Sequence, residues 1–196
     1  MLNFDIVLAS ASPRRKAILS QVDLNFIIKP SNIDEDFSIK LLPEAFCEYW
    51  AREKAKNIAE SHSDKLVIGA DTIVVLDDKI LGKPKSQKES FAMLESLSGK
   101  THKVLTGVSL INLELGIDFT FIESTDVSFY TLKNNDISNY INIYKPYDKA
   151  GSYGIQDGFS AYVKKINGCF YNVMGFPISR FYRLYKIIKE EGKLID

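Results

Sequence analysis

The hand-over from a short apolar run to a helix at the start of the chain constrains the fold more than any other segment. Asp5 to Ala9 is apolar and ends in small, polar residues, and Ser12-Pro13-Arg14-Arg15 follows after Ser10-Ala11. The run has the length and flanks of a buried strand. Ser12 is suited to cap the helix that follows, with Pro13 at its first position, where a missing N–H leaves no bond unmade. Strand and helix patterns continue to interleave along the chain, which predicts an α/β architecture.

A helix is expected from Pro43 to about Ser61. Leu66-Val67-Ile68 reads as a buried strand ending at Asp71. Further strands are expected at Thr72 to Leu76 and Lys79 to Leu81, with Asp77-Asp78 as the turn between them. Ser86 and Glu89 have capping-box spacing and open a helix with Phe91, Leu94 and Leu97 inward and Gly99 as its stop. Two long β segments, about 102–115 and 117–131, meet near Gly116. A short helix from Asp136 to Tyr144 ends before Pro146. Asn167-Gly168 between strand-like stretches predicts a tight hairpin. A last helix begins after Pro177 and buries Phe181, Tyr185 and Ile188. With some strands joined by hairpins, the sheet is expected to be mixed.

With 196 residues the chain is long enough for one domain with its own core, and no linker-like stretch divides it. Lysine plus arginine equals aspartate plus glutamate at 25 each, without the basic surplus of a nucleic-acid binder. No apolar run approaches membrane-spanning length, and Met1 to Asp5 lacks the start of a leader. Cys47 and Cys169 fit no metal-ligand spacing and read as free thiols in a reducing compartment. These features lead to the expectation of a soluble, cytoplasmic protein with neither nucleic acid nor membrane as partner.

Several segments carry candidate chemistry. A helix N-terminus at Ser10 to Arg15 suits phosphate oxygens, and Arg14 and Arg15 add forked cationic donors. The alternative is a capped helix with solvated arginines. Asp34-Glu35-Asp36 and Asp71 supply hard oxygen ligands of the kind that hold Mg²⁺, or else a solvated loop and a turn cap. Gly69-Ala70 before Asp71 allows another chain or a ligand to approach the backbone closely. Lys54 follows Phe46 and Trp50 at four-residue steps, on the apolar side of its helix. It either snorkels past the core or points into a cleft that holds an anion. Lys83, in Gly82-Lys83-Pro84, is placed to face the same cleft or plain solvent. His62 and His102 show no zinc spacing; His62 is expected at the surface, and His102 in a structural role, with a bond to a loop or a phosphate as the alternative.

These segments together resemble the Maf family of nucleotide pyrophosphatases. The resemblance runs in order through Leu8 to Arg15, Ile33-Asp34-Glu35, Ala51 to Ala55, Gly69 to Val74, Gly82-Lys83-Pro84, Gly99 to His102, and Asp148 to Gln156, the last being the most specific. It implies a mixed, twisted sheet with flanking helices of the Maf and inosine-triphosphatase type, as a single domain over 1–196 with two lobes around a central cleft, often dimeric. It also implies Mg²⁺- or Mn²⁺-dependent attack of water on a nucleoside triphosphate between the α and β phosphates. Carried over by matching position, Glu35 and Asp71 become the metal-holding and water-activating carboxylates, with the division of roles open. Arg14, Arg15, Lys54 and Lys83 become phosphate or base clamps, with Ser10 at the phosphate loop.

The family includes a branch acting on dTTP and UTP and another preferring 7-methyl-GTP. In the latter, tryptophan replaces the first arginine of the opening motif, Ser-Asp-Gln stands in place of Ala70-Asp71-Thr72, and glutamate replaces Gln156. A neutral amide both donates to and accepts from a uracil or thymine edge. A carboxylate only accepts, which suits a cationic guanine, and tryptophan stacks on that cation. Arg14, Thr72 and Gln156 therefore imply the pyrimidine branch. Lys145 and Asp157 depart from the family's usual residues beside the presumed base pocket and bear on the fine choice of base. The readings that compete with dTTP/UTP hydrolysis are 7-methyl-GTP hydrolysis, a nucleotide-binding regulator of cell division without turnover, and a structural module with solvated charged loops.

Overall fold

A run of β-branched and small residues carries one unbroken strand from Leu66 to Leu76, and in this computed structural model that strand is the axis of the fold. The structure describes residues 5–191; Met1 to Phe4, read above for a leader, lie outside the described residues. The elements are β1 (Ile6–Leu8), α1 (Pro13–Leu19), β2 (Phe26–Ile28), α2 (Pro43–Ala59), β3 (Leu66–Leu76), β4 (Lys79–Leu81), α3 (Gln87–Leu97) and β5 (Thr101–Asn112). They continue with β6 (Ile117–Phe129), α4 (Asn134–Tyr144), β7 (Val163–Asn167), α5 (Phe170–Val173) and α6 (Ile178–Glu191). The seven strands form one mixed sheet in the order β2-β1-β3-β5-β6-β7, with β4 folded back on β3. β1 runs parallel to β2 and β3, and the remaining pairs are antiparallel.

The edge of β3 is shared in a way that creates the site. β5 covers one side of β3 from Val67 to Val75. On the other side β1 pairs with Leu66 to Ile68, and β4 pairs with Val74 to Leu76. Between them, among the described residues, 69–73 have no strand neighbour. Side chains of β3 alternate across this gap, as a pleated strand requires. Ile68 and Ala70 join a core formed with α1 and α6, whereas Val74 and Leu76 join a second core formed with α3 and α4. Val67, Ile73 and Val75 face α2 on the opposite side of the sheet.

Helix α2 lies unusually close to the sheet. A Cβ built on Gly69 would stand 2.3 Å from Ala51 O and 2.6 Å from Ala55 N, and one on Gly107 would stand 2.6 Å from Cys47 O. Gly107 sits on β5 directly opposite Asp71. The Cys47 thiol donates to Asp71 O at 3.2 Å, and Gly107 N–H donates to Cys47 Sγ at 3.0 Å. The close approach expected of Gly69-Ala70 is thus made by α2.

Ser12 accepts from Arg15 N–H with Pro13 in the first turn, as the sequence requires. Asp77 and Asp78, with φ of 49° and 61°, form the tight turn between β3 and β4. Cys47 and Cys169 are free. Three expectations need correction. Leu66–Ile68 and Thr72–Leu76 are one strand, because continuous pairing with β5 carries the backbone through Gly69-Ala70-Asp71, so Asp71 lies mid-strand. Asn167-Gly168 does not make a hairpin. Only Gly168 has positive φ, 132°, and Cys169 exchanges hydrogen bonds with Thr125 Oγ1 before α5 begins. The Ser86–Glu89 box is half formed: Ser86 accepts from Glu89 N–H, but the Glu89 carboxylate takes Lys85 N–H. Among the described residues no helix is long and apolar enough to cross a membrane.

The seating of α2 gives a direct test. Gly69→Ala is expected to destabilise the protein by about 3 kcal/mol, the upper end of overpacking effects, because backbone atoms cannot yield as a side chain can. Gly116→Ala, where φ is +66° but the space is open, is expected to lose only about 1 kcal/mol through backbone strain. Urea unfolding of the two variants checks the difference.

Candidate active site

The gap in β3 opens into a cavity of about 660 Å³, within the range of small-molecule sites. The eight residues to which the family resemblance gives a site role line it: Ser10, Arg14, Arg15, Glu35, Lys54, Asp71, Lys83 and Gln156. They come from six separate stretches of chain, so the fold gathers what the sequence scatters.

At the centre, Lys54 of α2 reaches Asp71 of β3. Its ammonium donates to Asp71 Oδ1 at 2.7 Å and to Glu35 Oε1 in a short contact. The step of four along α2 from Trp50 aims Lys54 at the sheet, where it meets two carboxylates instead of snorkelling to solvent. Asp71 is 3% exposed, and its Oδ2 has no hydrogen-bond partner. Burial pushes the Asp71 carboxyl up, against the pull of Lys54, and the Glu35 charge adds to the push. Burial also works against ionisation of Glu35, but Lys54 outweighs it, with help from the neighbouring Asp71 carboxyl and from Lys83, and holds that carboxyl low. The two acids are thereby driven apart in proton affinity, Asp71 upward and Glu35 downward.

Arg15 reaches the same gap from the other side of the sheet. Its guanidinium donates to Gly175 O (2.9 Å), Ala70 O (2.9 Å), Ser10 Oγ (3.1 Å) and Thr72 Oγ1 (3.0 Å). Ala70 O belongs to the stretch of β3 without a strand neighbour, so Arg15 takes the place of a missing ladder partner. Burial draws Arg15 down, with nearby Asp71 opposing; arginine stays charged regardless. Its donors are largely committed, which makes it a strut for the cavity floor more than a free clamp.

Arg14 spans the cleft to Asp148, with NH1 2.6 Å from Oδ2 and NH2 3.3 Å from the carbonyl oxygen. Lys149 donates to the other oxygen of the same carboxylate at 2.8 Å. Partial burial disfavours the Asp148 charge, but Lys149 and Arg14 hold it low. Sequence reasoning gave Asp148 and Lys149 no role. The signal available was their place in the block that ends at Gln156. It also missed Phe37, half exposed in the cavity wall, whose ring edge lies where a Cβ on Gly82 would be. Lys83 and Gln156 are exposed in the cavity lining. Lys145 and Asp157 do not line it. Lys145 ends α4 with φ of 43°, and Asp157 accepts from Tyr140 OH and Phe159 N–H.

The donor set suits a hard divalent ion. Asp71 Oδ2 is buried and unpartnered, and Glu35 stands across the same ammonium. Among the described residues no group of three or more His, Cys, Asp or Glu side chains is placed to hold a metal. Two carboxylates with the other positions left to water and phosphate is the usual Mg²⁺ pattern.

Residues 5–188 match the family described as Maf-like protein. A protein of Halalkalibacterium halodurans named dTTP/UTP pyrophosphatase is 45% identical over 93% of this chain and 95% of its own length. Another of that name, from Carboxydothermus hydrogenoformans, is 42% identical over 91% of this chain and 95% of its own. A solved nucleoside-triphosphatase / dITP/XTP pyrophosphatase of Mycobacterium abscessus is 14% identical. It covers 64% of this chain and 74% of that one, with a TM-score of 0.44, a distant likeness that bears on neither site nor substrate.

The wall beside Gln156 is braced by His102, which is buried and whose Nε2 lies 2.9 Å from the hydroxyl of the cavity-lining Tyr153. The structural role expected for His102 is therefore found. Burial pulls its pKa from 6.5 to about 4, with Asp126 weakly opposing. The unfolded chain then binds more protons across that window, so this contribution is complete above pH 6.5 and is lost as pH falls toward 4. Between those limits the wild type is expected to lose on the order of 3 kcal/mol relative to His102→Gln. Unfolding free energies of both proteins measured across that range check it.

Proposed function

The chain belongs to the Maf-like protein family, and from that premise we propose that it hydrolyses dTTP and UTP to the nucleoside monophosphate and pyrophosphate. The observation that carries the reading is a buried carboxylate with a free oxygen, Asp71, held beside Glu35 and Lys54 in a cavity rimmed by further cations. Phosphoryl transfer needs chiefly positioning and charge neutralisation, and this arrangement offers both.

In the proposed reaction, water attacks the α phosphorus, the bond from that phosphorus to the α–β bridging oxygen breaks, and pyrophosphate leaves. The attacking water gives its proton to a carboxylate. Asp71 suits that part, because burial raises its affinity for a proton. Glu35, held ionised by Lys54, suits the holding of a divalent cation together with Asp71. When bound, Mg²⁺ or Mn²⁺ would neutralise phosphate charge and polarise the phosphoryl oxygens. Lys83 and Arg14, cations in the cavity lining, suit the steadying of the phosphates, Arg14 on release from Asp148. Arg15, bonded to Ser10, Ala70, Thr72 and Gly175, keeps the floor rigid under the reacting atoms. Gln156 offers a neutral amide to a pyrimidine edge, which favours uracil and thymine over a cationic guanine.

Pyrophosphate release from a panel of nucleoside triphosphates tests the reading. Activity is expected with dTTP and UTP and not with 7-methyl-GTP, and Asp71→Asn is expected to lower kcat about a hundredfold or more with the fold intact. Near-normal turnover by that variant would overturn the role of Asp71. Gln156→Glu is expected to depress kcat/KM for dTTP and UTP by about tenfold or more, as loss of a substrate hydrogen bond does. An equal effect on every nucleotide would refute its part in base choice.

A further inference from the structure

The Lys54 ammonium occupies the space between the two acids that the proposed function assigns to a divalent cation. It donates to Asp71 Oδ1 and to Glu35 Oε1 with its side chain only 12% exposed. Arg15 adds a second fixed positive charge close enough to act on Asp71. The two acids thus already face Lys54 and Arg15, with Lys83 acting on Glu35 besides, before anything binds. A divalent ion arriving alone must weaken the Lys54 contacts and sit beside both cations. It gains two carboxylates and finds no third protein acid among the described residues. Both conditions disfavour metal by itself. A triphosphate changes the balance, because its oxygens complete the metal's shell and accept the displaced ammonium.

We infer that Lys54 is the resident counter-ion of the Glu35–Asp71 pair, and that it makes metal and triphosphate bind jointly, neither binding well without the other. The inference rests on the reading of the cavity as a nucleotide site and adds an order to its filling. Lys54 exchanges partners during binding, from the two carboxylates to a phosphate. Asp71 Oδ2, buried and without a partner, is the point at which the metal first engages the protein.

The experiment uses Mn²⁺ followed by its electron paramagnetic resonance signal, with the full chain and no substrate, followed by calorimetry with an α,β-imido analogue of UTP. Wild type is expected to bind Mn²⁺ alone weakly. Lys54→Met, which removes the charge, is expected to bind Mn²⁺ alone about tenfold or more tightly, whereas Lys54→Arg stays like wild type. Lys54→Gln serves in place of Lys54→Met if the latter does not fold. The preformed Mn²⁺–analogue complex is expected to bind wild type about tenfold or more tightly than the analogue in EDTA. Equal Mn²⁺ affinity in wild type and both neutral variants would overturn the counter-ion role. Equal affinity for the complex and the metal-free analogue would overturn joint binding. If neither form of the analogue binds while Lys54→Met still gains Mn²⁺, the nucleotide reading fails and the counter-ion role stands.

Discussion

The structure depends on the absence of two side chains. Gly69 and Gly107 lie on neighbouring strands and let the backbone of α2 rest on the sheet, with Ala51 and Ala55 at the contact. A larger residue at either glycine would lift the helix, because the atoms that it would meet are peptide atoms fixed by the helix itself. The contact sets where Lys54 can reach. Four residues after Trp50 and close to the line of Gly69, its stem lies over the sheet and its ammonium falls between Asp71 and Glu35. A packing requirement thereby fixes the position of a charge.

The interrupted edge of β3 is the second half of the construction. A β-strand with an unpaired stretch normally exposes backbone groups to water or to another strand. Here β1 stops, β4 begins several residues later, and the space between them becomes the cavity floor. Arg15 occupies part of that space and takes Ala70 O. The same guanidinium holds Thr72 and Gly175, so the segment before α6 is tied to the central strand. An arginine that resembles a phosphate clamp by its place in the sequence is, by its bonds, a replacement for a strand.

How far the sequence discloses this follows from the range of each interaction. Ser12 and Pro13, the Asp77-Asp78 turn and the apolar stripe of α2 are local, and each forms as its spacing dictates. Lys54 also announces itself, because a cation on an apolar helix face needs a reason to be there. The continuity of β3 through Gly69-Ala70-Asp71 is decided by β5, more than 30 residues away, so local small residues suggested a break that the partner strand removes. The Asn167-Gly168 pair shows the same limit: Thr125 on β6 captures Cys169 and sends the chain into α5. The Arg14–Asp148 pair joins residues 134 apart and leaves no periodic trace. Resemblance to a family could mark the block containing Asp148, but only coordinates show which charge it meets.

The carboxylates illustrate how such a site can exist in a folded chain at all. An ionised Asp71 buried without a counter-charge would cost several kcal/mol, enough to threaten a protein of ordinary stability. Lys54 and Arg15 lower that cost, yet they do not use every oxygen: Oδ2 remains unpartnered. Satisfying it with one more protein donor would stabilise the fold and close the site. Leaving it open keeps part of the desolvation cost in the free protein, available to be relieved when a ligand arrives. The same lysine that makes the two acids tolerable is also what any incoming cation must displace. Stability of the empty fold and affinity for the bound state are therefore set against each other at a single ammonium group, and the balance between them lies in the length and angle at which α2 presents it.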